Sequence, residues 1–177
     1  MNKIRQFFKV VLIVYRHGID VIFRDPLTNL YNRRFLEGIG PKEIERARAQ
    51  RYGRPLSLVL FDLDGFKEIN DFYGHQYGDT VLERVARVLK DHCRKADILV
   101  RWGGDEFLLL LPETTGVGAE QFIRRIIREL QAEDIRLSYG VVPWQDEKYS
   151  SLEEFIKEGD RRLYKHKQLK KEGKSRG

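Results

Sequence analysis

Apolar positions along this chain change period several times, and each change marks a structural element. Between Ile4 and Phe23, the residues Ile4, Phe8, Val11, Tyr15 and Ile22 fall near one helical stripe, interrupted by Lys9, Arg16, His17 and Asp20. Asp25-Pro26 ends that helix, because the residue before a proline is pushed out of the helical region. Residues 1–24 therefore read as an N-terminal helix and 25–177 as one domain. A helix is expected near residues 41–52, opening at Gly40-Pro41, and the unbroken apolar run from Leu56 to Asp62 reads as a buried strand. The next helix, from about Gly78 to His92, carries Val81, Leu82, Val85, Val88 and Leu89 on one face. Two strands, Asp97 to Arg101 and Glu106 to Leu111, flank Gly103-Gly104, which reads as a tight hairpin needing positive φ. A helix bearing Phe122, Ile123, Ile126, Ile127 and Leu130 follows, then a strand from about Ile135 to Val142. The last helix opens at Ser151, with Ser151 and Glu154 expected to form a capping box.

From residue 56 the order is β-α-β-β-α-β plus a terminal helix, the pattern of an α+β, ferredoxin-like fold. In that topology the third strand inserts beside the first and runs antiparallel to it. Asp62 closes the first strand and Asp105-Glu106 opens the third, so three carboxylates are expected to converge on one edge of the sheet.

Composition narrows the class. The apolar fraction of 41% and the 20 aromatic residues are enough for a packed core in a chain of 177 residues. Cys93 is the only cysteine, so no internal disulfide forms, and nothing resembles a cleavable signal; a reducing cytoplasm is the expected compartment. The N-terminal stripe carries too many charges for a membrane span and suits a packing or dimerising helix, with contact at a membrane surface as the less favoured alternative. The net charge of +6 lies at the two ends: +4 in residues 1–24 and +7 in residues 161–177 leave −5 for the middle. That distribution argues against a nucleic-acid partner. The basic C-terminus reads either as a solvated face or, in part, as a phosphate-binding one.

Three gathered carboxylates repel one another unless a cation or a protonation shift compensates. Oxygen-only ligands favour Mg²⁺ or Mn²⁺, and no Cys/His cluster has zinc spacing. Magnesium held by a few carboxylates usually completes its shell with water and substrate phosphates, which points to a nucleoside triphosphate. An exposed acidic hairpin without any ligand is the plainer alternative.

At this point the residues carry a resemblance. Gly103-Gly104-Asp105-Glu106-Phe107 is similar to the signature of the GGDEF domain, the catalytic domain of diguanylate cyclases. Three further blocks resemble that family in the right order: Asp25-Pro26-Leu27-Thr28-Asn29-Leu30-Tyr31-Asn32-Arg33-Arg34, Phe61-Asp62-Leu63-Asp64-Gly65-Phe66-Lys67, and Tyr73-Gly74-His75-Gln76-Tyr77-Gly78-Asp79. The resemblance covers residues 25 to about 167. It implies a nucleotide-cyclase or polymerase-palm type antiparallel sheet flanked by helices, and an enzyme joining two GTP into cyclic di-GMP. Position by position, it implies that Asp62, Asp105, Glu106 and the Leu63 carbonyl hold two divalent ions per site, with Asp105 and Glu106 as the catalytic pair. Asn70 and Asp79 resemble the guanine-recognition pair, though they also suit helix ends. A carboxylate accepts from the two donors of guanine's edge, which adenine lacks. The resemblance also implies that Phe66, Lys67, Gly103 and Gly104 belong to the substrate site and that Asp64 supports the metal site or its turn.

Near the C-terminus, Asp160 to Lys167 is similar to a family segment whose lysine, with a basic residue four positions on, binds phosphate. Lys167 and Lys171 are the matching pair. The segment departs from the family where Gly159, Arg162 and His166 replace small residues, and where the following glycine is delayed to Gly173. Arg94-Lys95-Ala96-Asp97, five residues before Gly103, has the offset of the family's inhibitory product site, which implies cyclic di-GMP as both product and inhibitor at Arg94 and Asp97. His75, Tyr77 and Cys93 read as structural. Because each half-site would hold one GTP, a homodimer is implied, with residues 1–24 as its stalk. The alternative is a catalytically silent domain that senses cyclic di-GMP or GTP.

Overall fold

The computed structural model describes residues 21–49 and 54–174, so most of the expected N-terminal helix lies outside the described residues. Residues 21–23 are helical. The chain then runs through β1 (Tyr31–Asn32), α1 (Arg33–Arg48), β2 (Leu56–Leu63), α2 (Phe66–Tyr73), α3 (His75–His92), β3 (Ile98–Gly103), β4 (Glu106–Pro112), α4 (Gly116–Gln131), β5 (Leu137–Pro143) and α5 (Leu152–Lys174).

These strands form one five-stranded sheet in the order β1-β3-β4-β2-β5. Setting aside β1, the order is that of the expected α+β, ferredoxin-like core. β2 is interior and antiparallel to both β4 and β5. It is buried along its whole length because both faces are covered, which is why it reads as an unbroken apolar run. Alternate side chains divide between two cores. Val59, Phe61 and Leu63 pack with Val85 and Leu89 of α3 and Ile123 and Ile126 of α4. Leu56, Leu58 and Leu60 face the other way, towards Leu36 and Ile44 of α1 and Phe155 and Leu163 of α5. Each such side chain, fully buried, contributes roughly 1.5–3 kcal/mol.

Several boundaries differ from those expected. α1 starts eight residues before Pro41, because Asn32 caps it by accepting a hydrogen bond from Phe35 N–H at 3.1 Å. Gly40 marks a close approach rather than a helix start: a Cβ there would lie 2.7 Å from Leu152 Cδ2. α2 was not expected as an element. It enters from Gly65 in a left-handed conformation (φ 78°), which a β-carbon would strain. Gly103 and Gly104 do not have the positive φ expected of them. The hairpin turns through Gly104 and Asp105, between the paired Gly103 and Glu106, with a register irregularity between Arg101 and Gly103. The capping box at α5 is displaced: Ser151 Oγ accepts from Glu154 N–H at 3.2 Å, but the Glu154 carboxylate accepts from Ser150 N–H and Oγ–H.

Among the described residues no helix is long and apolar enough to cross a membrane.

Candidate active site

Asp62 is the last step of the alternation Leu58, Leu60, Asp62, so its side chain emerges on the α5 face of the sheet. In the antiparallel register it stands opposite Glu106, and directly opposed residues share a face. Leu63 N–H donates to the Asp105 carbonyl at 3.3 Å, joining the end of β2 to the hairpin. Strand period and register thus bring Asp62 and Glu106 to the same end of their strands, with Asp105 in the adjoining turn.

The electrostatics show the cost of that convergence. Burial raises the Asp62 carboxyl above its usual range, and the Asp105 and Asp64 charges push it further, against the lowering effect of Lys167. Glu106 is raised too, first by burial and then by Asp62, Asp160 and Asp105. One cation is already in place: Lys167 Nζ from α5 lies 2.6 Å from Asp62 Oδ2. It does not offset the crowding of acids. With the side chains so arranged, no group of three or more His, Cys, Asp or Glu among the described residues is drawn together closely enough to hold a metal ion. The donor set itself fits a hard divalent ion, since buried carboxylates with raised proton affinity gain most from added positive charge.

Beside these acids opens a cleft of about 430 Å³. Asp62, Leu63 and Asp105 form its acidic wall, with Phe66 and Lys67 at the start of α2 and Lys167 and Lys171 from α5. Its floor includes Asp64, which accepts from Ser138 Oγ–H at 2.6 Å and pairs with Lys170 Nζ at 2.7 Å. Burial alone would raise Asp64, but these two partners hold it below the ordinary carboxylate range. Gly104 carries no atom within 4 Å of where a Cβ would stand, and Gly103 would place one 3.3 Å from Glu106 Oε2. The pair leaves the hairpin rim bare.

Asn70 and Asp79 lie outside the cleft walls, and Asn70 packs against Gly78, the residue before Asp79. A Cβ on Gly78 would lie 1.9 Å from Asn70 Oδ1 and 3.2 Å from the Phe66 ring, so α2 packs onto the first turn of α3 only because residue 78 is glycine.

This geometry coincides with the reach of a known family. The family model described as diguanylate cyclase, GGDEF domain, matches residues 22–173. The chain belongs to that family. It is 38% identical over 159 residues to the diguanylate cyclase DosC of Escherichia coli K12, a match covering 85% of this chain and 34% of DosC. The chain thus spans about a third of the length of that relative. Among solved structures it resembles the GGDEF domain of TpbB (YfiN) from Pseudomonas aeruginosa, at 33% identity and TM-score 0.76, covering 82% of this chain and 89% of that one. The GGDEF domain of DgcB from Caulobacter crescentus, solved in complex with c-di-GMP, matches at 26% identity and TM-score 0.75, covering 82% and 90%.

At the other end of β2, roughly 20 Å along the strand, Arg94 and Asp97 border a second cleft of about 410 Å³. Arg94 N–H donates to Asp97 Oδ2 at 2.6 Å, while Asp97 Oδ1 is buried without a hydrogen-bond partner among the described residues. Burial raises the Asp97 carboxyl. Arg46 and Arg54 share this cleft, a proximity not evident from sequence spacing. The Cys93 thiol is pushed up to about 12 by burial, in keeping with a structural residue.

Sequence reasoning missed three participants. Lys170, not only Lys167 and Lys171, faces the cleft. Asp160 adds negative charge near Glu106. Arg101 donates to the Gly104 carbonyl at 2.8 and 3.1 Å while pairing with Asp25 at 3.0 Å, tying the hairpin to the opening Asp25-Pro26 turn. Only the position of Arg101, two residues before the glycines, offered a signal.

Proposed function

We propose that this chain is the catalytic domain of a diguanylate cyclase, joining two GTP molecules into cyclic di-GMP and releasing two pyrophosphates. The observation that carries the reading is Asp62 standing opposite Glu106 and paired with Lys167 beside the Asp105 turn, in a chain of this family. In each half of the reaction the ribose 3′-oxygen of one GTP forms a bond to the α-phosphorus of the other. The bond from that phosphorus to the β-phosphate bridging oxygen breaks, and pyrophosphate leaves. Glu106, whose proton affinity is raised by burial and neighbouring acids, is suited to take the hydroxyl proton. Asp62, Asp105, Glu106 and the Leu63 carbonyl would hold two Mg²⁺ or Mn²⁺ ions, which when bound neutralise phosphate charge and favour in-line displacement. Lys167, Lys171 and Lys67 compensate triphosphate charge. Asn70 and Asp79 read the guanine edge, and the bare glycine rim lets the nucleotide approach the backbone.

Each half-site holds one substrate, so the reaction needs two copies face to face. Residues 1–24 serve as a dimerisation stalk in this reading, and Arg94 with Asp97 binds cyclic di-GMP as a regulatory product. Removing residues 1–22 should yield a protein that sediments as a monomer, with specific activity rising with concentration.

The reading is tested by following pyrophosphate release from GTP and Mg²⁺ by the purified protein. Release that depends on GTP and on the divalent ion is expected. Release absent in the wild type would refute it.

A further inference from the structure

β5 is an edge strand, so alternate residues turn their backbone N–H and C=O groups away from the sheet, where they need other partners. In an antiparallel strand both groups of a residue point the same way. Leu137, Tyr139 and Val141 form the outward set. All three are met by α5. Arg162 Nη1 donates to the Val141 carbonyl at 2.6 Å, His166 Nδ1 accepts from Tyr139 N–H at 2.9 Å, and Lys170 Nζ donates to the Leu137 carbonyl.

The spacing explains why this works. Residues 162, 166 and 170 are four apart, about 6 Å of helix rise, and residues 141, 139 and 137 are two apart, about 6.7 Å of strand. A helix antiparallel to the strand therefore matches it step for step. Close approach at Gly140 lets the helix lie down: a Cβ there would be 2.6 Å from the Gly159 carbonyl oxygen and from Leu163 N. The His166 ring also meets the Tyr139 ring edge-on at 4.6 Å. Arg162 and His166 are two of the positions where this segment departs from small residues.

We infer that Arg162, His166 and Lys170 staple α5 to the edge of β5, and that His166 and Lys170 are thereby positioning residues that fix Lys167 and Lys171 at the substrate cleft. The inference rests on the proposed reading of that cleft as the GTP site. Lys167 follows His166 directly and reaches Asp62, whose partner across the sheet is Ser138, between two stapled residues. Lys170 extends the staple into the cleft floor, because its ammonium also holds Asp64. A register slip of α5 along β5 would carry the lysines away from the phosphates without touching Asn70 or Asp79.

His166 is the informative position, since its side chain is not part of the cleft wall. His166→Leu removes the acceptor, whereas His166→Gln keeps one. In His166→Leu the Tyr139 amide should exchange with deuterium faster than in wild type, and the KM for GTP should rise roughly tenfold, the effect of one lost hydrogen bond to a placed group. The kcat should stay within about twofold, because the acids are untouched. His166→Gln should restore both amide protection and KM, and Lys170→Met should raise KM as His166→Leu does. An unchanged KM in His166→Leu and Lys170→Met, in a wild type that turns GTP over, would overturn the inference alone. A wild type that neither binds nor turns over GTP would overturn the cleft reading and this inference with it.

Discussion

Arg101 and Asp25 form a part-buried pair that joins the start of the domain to its acidic hairpin: Nη1 of Arg101 lies 3.0 and 3.1 Å from the two Asp25 carboxylate oxygens. The same guanidinium donates twice to the Gly104 carbonyl. Both partners are shielded from solvent, at 15% and 17% exposure, so the pair is screened far less than a surface one. Arg101→Ala should cost about 1–3 kcal/mol of stability. It should also lower turnover, because the rim beside Asp105 loses its brace. Thermal unfolding together with GTP turnover checks both effects.

The pair has a pH signature. Burial alone would raise Asp25, but bonds from Thr28 and Arg101 bring it below its ordinary value. Its folded proton affinity is therefore lower than its unfolded one, so its contribution is complete above the ordinary carboxylate range and lost as pH falls through the folded value. Stability measured from pH 6 downward should fall less steeply in Asp25→Asn than in wild type. Parallel curves would remove the assignment.

Asp62 and Glu106 behave in the opposite sense. Their raised folded values mean that the ionised pair works against folding at neutral pH, with relief as pH falls towards the folded values. Glu106→Gln should thus unfold at a temperature equal to or above that of wild type while losing about 10²–10³ in kcat. A variant that retains most of its turnover would contradict the role given to Glu106.

Gly78→Ala should disable guanine recognition without disturbing the acids, because the new methyl would displace the Asn70 side chain. A loss of GTP affinity is expected, with the preference over ATP reduced, and Asp79→Ser should reduce that preference as well. Competition binding with GTP and ATP reads the result, and an unchanged ratio in both variants would count against the pair.

Arg94→Ala should accumulate more cyclic di-GMP before its progress curve flattens, since the variant loses the planar donor fork for a phosphate or a base. Curves that flatten at the same product level would show that this cleft does not regulate.

The site's acidic centre was legible in the sequence because it follows from period and topology: a strand ending in Asp62, a hairpin opening at Glu106, and an antiparallel register. Among the C-terminal basic residues, the family resemblance singled out Lys167 and Lys171, both of which line the cleft. The pairing of Lys170 with Asp64 was not legible, because it spans 106 positions and depends on how α5 lies on β5. The same holds for Gly40, which resembled a helix start beside Pro41 but is set by the approach of Leu152. The glycine pair of the hairpin reads in the sequence both as positive-φ positions, which neither glycine adopts, and as part of the substrate site, where the structure leaves the rim without side chains.

The acidic strand ends and their lysine-lined cleft are proposed to convert GTP into a cyclic dinucleotide. Mass spectrometry of the nucleotides left after purified protein is incubated with GTP and Mg²⁺ tests that conversion most directly. The expected result is the mass of cyclic di-GMP with two pyrophosphates formed per product, and neither in Glu106→Gln. GTP recovered intact from the wild type, or converted only to GDP or GMP, would contradict it.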